Sequence, residues 1–409
     1  MLRNRSLLGL LSAELVSLTG SAMTFVALPW FVLATTGSTA KMGWVLAAEL
    51  APIGILGIPS GTVAARLGAK RTMLVADAAR GPLMTVIPVL WWSGHLSFAA
   101  LLGASFAVGC FAAPYLASAR VVLPEVVGED ERLVAQANAI LSSGNQVTQI
   151  AGPVLAGVLI AVTSPATVLV IDGATYLFSF LTIALVVRGG GRVEQTAESR
   201  GVLAGLRYLM RDPLLGPMLL VACLINLVAQ GLIVAVNALA YFHYGADAHV
   251  AGFLFGAFGV GALLGALLAQ RLVGRVDLLR LSAGAMVAMP LPLWLLSIEM
   301  PWGAAMVALG ASAFFVPLIN APVVGILTTR TPAALRPKVM AAVMTMATLA
   351  GPIGFFGAGL ALQHVSLYLV FFVIAAAMTA GGVAFALTVL RRSAAPRNVS
   401  VADVAHGQT

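Results

Sequence analysis

The chain has 409 residues, of which 60% are hydrophobic and only 9% are charged, and its mean hydropathy is +1.00. Soluble proteins carry about 25% charged residues, so this composition excludes an ordinary water-soluble domain. The net charge of +8 does not indicate a nucleic-acid partner, because the basic residues form small clusters between apolar runs. The composition therefore predicts a polytopic membrane protein.

Six apolar runs occupy the first part of the chain. The first begins in MLRNRSLLGLLSAEL, which has basic residues but no small-residue cleavage site, and this predicts a retained span instead of a removed signal peptide. Each run is long enough to cross a hydrocarbon core of about 30 Å as a helix. The predicted spans are 7–34, 43–64, 72–92, 97–119, 136–161 and 165–187.

A hydrophilic segment then divides the chain, and six further apolar runs follow it. These predicted spans are 213–241, 250–270, 279–298, 302–328, 339–362 and 366–390. The chain is therefore predicted to be an all-α polytopic membrane protein with twelve transmembrane helices. Its predicted parts are an N-terminal six-helix bundle (1–187), a cytoplasmic central loop (188–212), a C-terminal six-helix bundle (213–390) and a cytoplasmic tail (391–409).

The same Gly-Pro pair interrupts two of the runs, half a chain apart. QIAGPVLAGVLI contains Gly152 and Pro153, and LAGPIGFFGAGL contains Gly351 and Pro352. Proline inside a helix removes a hydrogen bond and costs roughly 3 kcal/mol. Because the pairs fall at equivalent places in spans five and eleven, we expect bends or gates at matching sites of two related bundles.

The distribution of basic residues predicts the orientation. With the N-terminus in the cytoplasm, 21 of the 23 Lys and Arg residues lie on the cytoplasmic side, Arg80 lies within span three, and Lys41 lies outside. Cytoplasmic loops carry an excess of Lys and Arg, so both termini are predicted to be cytoplasmic.

Several stretches resemble the major facilitator superfamily. GTVAARLGAKR, residues 61–71, resembles the superfamily's signature for the loop between spans two and three, and GPVLAG, residues 152–157, resembles its span-five antiporter motif, which goes with export. LPEVVGEDERLVAQANAI, VLVIDGATYLFSFL and RTPAALRPKVMAAVM resemble stretches of its bacterial drug, macrolide and enterobactin-type siderophore exporters. The resemblance implies the major facilitator fold, with spans one, four, seven and ten lining a cavity.

The chain departs from these patterns at four points. Ala65 replaces the usual acidic residue of the loop signature, Ala156 replaces a second glycine of the span-five motif, and Pro337 stands where glycine is common. The middle of span four lacks the arginine that many drug exporters of the superfamily have. These departures concern the proton-coupling scheme more than the fold.

Two acidic residues are the candidate proton-coupling groups, because ionisable side chains inside a bilayer are costly and usually functional. Glu14 lies on span one, which the resemblance places at the cavity; a side chain reaching the membrane interface is the alternative. Glu49 lies near the external end of span two, where a hydrogen bond to the other bundle is the alternative.

Other charged residues within or beside the spans are better explained as structural. Asp77 and Arg80 are one helical turn apart on span three and favour an ion pair, with Arg66 and Arg120 expected close by. Asp172 on span six resembles a family residue and also favours a structural role.

Polar and adaptable apolar side chains share narrow faces on several spans and predict a substrate cavity. Amides facing lipid would be costly, and Met and aromatic side chains accommodate varied ligands. For each residue, plain helix packing or an interhelical hydrogen bond is the alternative. The candidates are Ser17, Ser21 and Phe25 on span one, Phe111 and Tyr115 on span four, Asn145 and Gln149 on span five, Asn226, Gln230 and Asn237 on span seven, and Met344 on span eleven.

No catalytic or metal site is predicted. All five histidines fall outside the predicted spans, the two cysteines have no metal-binding spacing, and the chain has no Walker-type phosphate loop. We therefore expect no cofactor, and an ion gradient as the energy source.

The sequence thus predicts a secondary transporter of the bacterial cytoplasmic membrane. We expect a monomer that exports lipophilic small molecules, such as a drug, a macrolide or a siderophore-like metabolite, in exchange for protons by alternating access. Two alternatives stay open: a proton-coupled importer of a small nutrient, and a non-transporting membrane sensor on the same fold.

The predicted topology is tested by thiol labelling from either side of the membrane. Single cysteines placed at Gly190 and at Ala246, in a background without Cys110 and Cys223, are expected to react from opposite sides. Labelling of both positions from the same side would refute the twelve-span topology.

Overall fold

The computed structural model describes residues 5–127, 131–187, 202–212, 215–272, 275–332 and 335–393. Thirteen α-helices lie within these ranges. They are α1 Arg5–Thr36, α2 Thr39–Leu67, α3 Ala69–Trp92, α4 Phe98–Val127, α5 Glu131–Val162, α6 Pro165–Leu185, α7 Val202–Arg211, α8 Leu215–Ala238, α9 Ala248–Leu272, α10 Leu278–Ala288, α11 Trp302–Arg330, α12 Arg336–His364 and α13 Leu367–Ser393. Twelve segments in the described ranges are long and apolar enough to cross a membrane, which confirms the predicted count.

The helices before and after α7 pack in the same pattern. In the first half, α1 packs against α5 and α6, α3 against α4 and α6, and α2 against α4. In the second half, α8 packs against α12 and α13, α10 against α11 and α13, and α9 against α11. The two sets of six helices are therefore structural repeats, which we call the first bundle (α1–α6) and the second bundle (α8–α13).

The bundles meet along two helix pairs, α2 with α12 and α5 with α9. A Cβ atom built on Gly157 of α5 would lie 3.0 Å from the Cα of Gly252 on α9, and the reverse distance is also 3.0 Å. Gly43 of α2 and Gly359 of α12 are related in the same way, at 3.1 and 3.0 Å. Glycine at these four positions lets the helix backbones touch, as small residues do at membrane helix interfaces.

These contacts close one end of the molecule. Each of the four glycines lies four or five residues from the helix end that carries the turns 37–38, 163–164 and 244–247. We call this the loop end, and we call the opposite end, which carries Arg5 and α7, the termini end. At the loop end Gln363 Nε2 donates to Ser38 Oγ (2.8 Å), and the Trp30 ring packs edge-on against Tyr241 (5.3 Å between centroids).

Toward the termini end the bundles separate. Asn138, Ser142, Asn145 and Gln149 of α5 are exposed, whereas Gly152 and Gly157 of the same helix are buried or packed against α9. We therefore infer a cavity between the bundles that opens at the termini end.

Both Gly-Pro pairs lie within continuous helices. Gly152 packs against Ala22 of α1, and Gly351 packs against Leu50 of α2. Pro153 leaves the Gln149 carbonyl without its helical donor, and a Cβ on Gly259 of α9 would lie 3.2 Å from that oxygen. The pairs thus lie at packed helix contacts, and α5 and α12 continue through them without a break.

The ninth span differs from the predicted single helix over 279–298. α10 ends at Ala288, and Pro292–Ser297 forms a 3₁₀ helix, because Pro290 and Pro292 cannot donate to the preceding turn. Leu293 N–H bonds Pro290 O at 3.0 Å, so the Met289 carbonyl accepts instead from Ser312 Oγ of α11, at 2.8 Å.

The predicted central loop contains a helix. α7 packs against α12, and the Tyr208 hydroxyl donates to the Arg330 carbonyl at 3.2 Å. The remainder of that loop, residues 188–201, and the tail beyond Ser393 lie outside the described residues.

The close approach of α5 and α9 predicts opposite effects for two glycine substitutions. In Gly157→Ala the new Cβ would lie 2.7 Å from the Ala248 carbonyl, so the variant should lose about 1–3 kcal/mol of stability through overpacking. A Cβ at Gly103 of α4 meets nothing within 4 Å, so Gly103→Ala should be neutral or gain up to about 1 kcal/mol. Thermal unfolding of the purified variants measures both. Equal effects would contradict the described interface.

Candidate functional site

The interior of the first bundle holds a cluster of ionisable side chains. Glu14 of α1, Asp77 and Arg80 of α3, and Asp172 of α6 are buried, and Glu49 of α2 is partly buried. We call these five residues the acidic cluster. Among the described residues of the second bundle, no charged side chain is buried. The two bundles are thus alike in helix packing and unlike in charge.

Arg80 is the cation of the acidic cluster. Its Nη1 lies 3.7 Å from Asp77 Oδ1, and its guanidinium carbon lies 4.0 Å from the centre of the Tyr176 ring and 5.1 Å from that of Tyr115. A guanidinium group stacks favourably on aromatic faces, so α3, α4 and α6 together hold its position. Of the other basic residues expected here, Arg66 is exposed, and the Arg120 side chain lies outside the described residues.

Asp172 is bound by hydroxyl groups from two helices. Thr24 Oγ1 of α1 donates to Oδ2 at 2.6 Å, and Thr175 Oγ1 donates to Oδ1 at 3.2 Å. One turn after Asp172, the Tyr176 hydroxyl shares a hydrogen bond with Ser21 Oγ at 3.0 Å. The structure therefore places Ser21, predicted as a cavity residue, against α6.

Glu14 lies at the edge of the acidic cluster without a full set of partners. Its Oε1 has no hydrogen bond among the described residues, and neither has either carboxylate oxygen of Asp77 or the hydroxyl of Tyr115. Buried polar atoms are nearly always bonded, so these unsatisfied atoms indicate a place for protons or water.

The predicted cavity residues fall into three groups by burial. Phe25, Asn145, Gln149 and Met344 are exposed; Phe111, Asn226 and Gln230 are partly exposed; Ser17, Tyr115 and Asn237 are buried. Asn237 Nδ2 donates to the Ile233 carbonyl of its own helix at 2.9 Å, whereas its Oδ1 has no hydrogen bond among the described residues.

An aromatic pair crosses the seam between the bundles. The ring of Phe25 packs edge-on against Phe255 of α9, with centroids 5.4 Å apart, and 38% of Phe25 stays exposed. The pair lies between the closed loop end and the exposed amides of α5, so it forms an apolar face of the cavity. Phe255 was missed from the sequence, because an apolar helix gives no sign of which phenylalanine meets another helix.

A cavity between two repeated bundles, beside an acidic cluster in only one of them, is an arrangement that can bind and release a solute and a proton. Comparison with known proteins gives its context. A family model described as transmembrane secretion effector matches residues 2–407.

Two relatives and one solved structure are similar over nearly the whole chain. The multidrug efflux pump Tap of Mycolicibacterium fortuitum is 27% identical over 372 residues, covering 86% of this chain and 88% of that protein. The pump of the same name from Mycobacterium tuberculosis (strain ATCC 25618 / H37Rv) is 27% identical over 402 residues, covering 93% of each. The nucleoside transporter NupG has a TM-score of 0.77 at 12% identity, covering 93% of this chain and 98% of that one, and shows the fold alone.

The family match confirms the resemblance seen in the sequence and, with the twelve apolar helices, identifies a multi-pass membrane transporter. The chain therefore belongs to the major facilitator superfamily, in the family described as transmembrane secretion effectors.

Proposed function

We propose that this transporter exports lipophilic small molecules across the bacterial cytoplasmic membrane in exchange for protons. The observation that carries the proposal is the position of Glu14, an acid with an unbonded oxygen, in a bundle that borders the cavity. The relatives named as multidrug efflux pumps support export.

The orientation follows from the charges at the two ends. Arg5, Arg71 and Arg207 lie at the termini end, whereas Lys41 lies at the loop end. An excess of Lys and Arg marks the cytoplasmic side, so we assign the termini end to the cytoplasm. The cavity then loads from the cytoplasm, as an exporter requires.

Transport by this arrangement needs the loop end to open. The α2–α12 and α5–α9 contacts would separate there while the termini end closes, exposing the cavity and the acidic cluster to the outside. A solute leaves in that state and a proton binds. The proton reaches Glu14 and is released to the cytoplasm when the cavity opens there again.

The cavity favours a lipophilic solute over an anionic nutrient. Phe25, which packs on the buried Phe255, and Met344 give an adaptable apolar lining, and Asn145 and Gln149 add uncharged hydrogen-bonding groups. No buried cation among the described residues of the second bundle is placed to hold an anion. An importer of an acidic nutrient therefore fits less well.

Glu14→Gln tests the proposal in proteoliposomes. The amide keeps the shape and removes the titration, so efflux of ethidium driven by an imposed pH gradient should fall to the level of empty vesicles. Ethidium binding should persist and become less sensitive to pH. Glu299→Gln, at an exposed loop-end acid, is the matched control and should pump normally.

Continued pumping by Glu14→Gln against a gradient would show that Glu14 is not the coupling site. Glu49→Gln, in the second candidate, would then be expected to lose pumping instead.

A further inference from the structure

The acidic cluster has more acid than base. Four carboxyl groups, those of Glu14, Glu49, Asp77 and Asp172, share the first bundle with one buried guanidinium, that of Arg80, and α5 has no titratable residue between 133 and 162. If all were ionised, three carboxylates would lack a cation. An unpaired buried charge costs several kcal/mol, so the charge balance requires protons in the cluster.

The carboxyl groups form two pairs at different depths. Glu14 and Asp77 lie about 14 and 12 Å from the termini ends of their helices, at about 1.5 Å per residue. Glu49 and Asp172 lie about 15 and 10 Å from the loop ends of theirs. We call the first pair the lower station and the second the upper station.

Arg80 lies between the stations. It is near the middle of α3, eleven residues from Ala69 and twelve from Trp92. It forms its ion pair with Asp77 and stacks on Tyr176, which lies one helical turn after Asp172. The rings of Tyr176 and Tyr115 hold the guanidinium, and its Nε has no hydrogen bond among the described residues. Arg80 is therefore placed to balance the charge of either station.

We propose that the interior of the first bundle is a two-station proton relay, in which Glu49 and Asp172 receive the proton, Glu14 and Asp77 deliver it, and Arg80 balances whichever station is ionised. This deepens the proposed function and rests on it. It also assigns a role in coupling to Asp77, Arg80 and Asp172, which the sequence alone favours as structural.

The transfer balances without any further reactant. A proton binds a carboxylate of the upper station when the loop end is open. It then leaves that carboxyl, which becomes an anion balanced by Arg80, and binds a carboxylate of the lower station. From Glu14 it passes to water in the cytoplasmic cavity.

Infrared spectroscopy of the full chain in lipid nanodiscs tests the relay without a substrate. The carbonyl band of protonated carboxyl groups is followed as a function of pH in the wild type, in Glu14→Gln and in Asp172→Asn. Monodisperse elution verifies the fold of each variant, and Glu299→Gln, at an exposed acid far from the cluster, is the control.

We expect a protonated-carboxyl band at neutral pH that each of the two cluster variants weakens and the control leaves intact. Because interacting sites titrate together, Asp172→Asn should also move the pH midpoint of the remaining band. Removing the cation in Arg80→Gln should move the midpoint about 1–3 pH units higher, and Arg80→Lys should restore most of that shift.

Two results would overturn the relay. The first is the absence of a protonated-carboxyl band at neutral pH, which contradicts the charge balance. The second is an unchanged midpoint in Asp172→Asn, which shows that the two stations titrate independently. If Arg80→Gln does not fold, the Asp172→Asn and Arg80→Lys results still decide between these outcomes.

Transport separates the relay from the proposed function. If Glu14→Gln vesicles lose pH-driven ethidium efflux while Asp172→Asn vesicles retain it at the wild-type rate, the relay is wrong and proton-coupled export stands. If wild-type vesicles show no response to the pH gradient, proton-coupled export is wrong, whatever the infrared titration gives.

Discussion

The cost of burying charge within a membrane is the constraint on which this structure depends. Arg80 offsets this cost for Asp77, whose carboxylate lies 3.7 Å away, and two tyrosine rings flank its guanidinium. Hydrogen bonds from the hydroxyl groups of Thr24 and Thr175 offset the cost of burying the Asp172 carboxyl group. The helices that supply these groups, α1, α3, α4 and α6, surround buried charged side chains, which the described residues of the second bundle do not contain. The two bundles share the same helix packing, but among the described residues the buried charged side chains lie in the first bundle.

The contact between the bundles is of a different kind. Gly43 with Gly359, and Gly157 with Gly252, bring helix backbones together without side chains in between. Such contacts rely on close packing and a few hydrogen bonds, as at Ser38 and Gln363, and no ion pair crosses them among the contacts described here. This interface therefore contains no charged contact among the described residues, whereas the acidic cluster lies wholly within the first bundle.

Much of the fold could be predicted from the sequence, because length and hydropathy determine where a chain crosses a membrane. Most of the twelve spans agree with the helices to within four residues, but the fourth helix extends eight residues beyond its predicted end, the fifth begins five residues before its predicted start, and Pro290 and Pro292 break the ninth. The residues of the site were harder to predict from the sequence. Spacing predicts which residues share a helical face, but it does not predict the hydrogen-bond partner of each side chain. Ser21 bonds Tyr176 of another helix, and Asn237 bonds a carbonyl of its own helix. The missing span-four arginine was noted, yet only the structure shows that Arg80 of α3 reaches Tyr115 of α4.

The exchange of a solute for a proton is the central claim, and one measurement tests it most directly. Wild-type proteoliposomes are given an ethidium gradient with equal pH on both sides, and a trapped dye records the internal pH. Our account predicts that ethidium moving in one direction drives protons in the other, with the pH change abolished by a protonophore. Protons that move together with ethidium, or a constant internal pH while ethidium crosses, would contradict it.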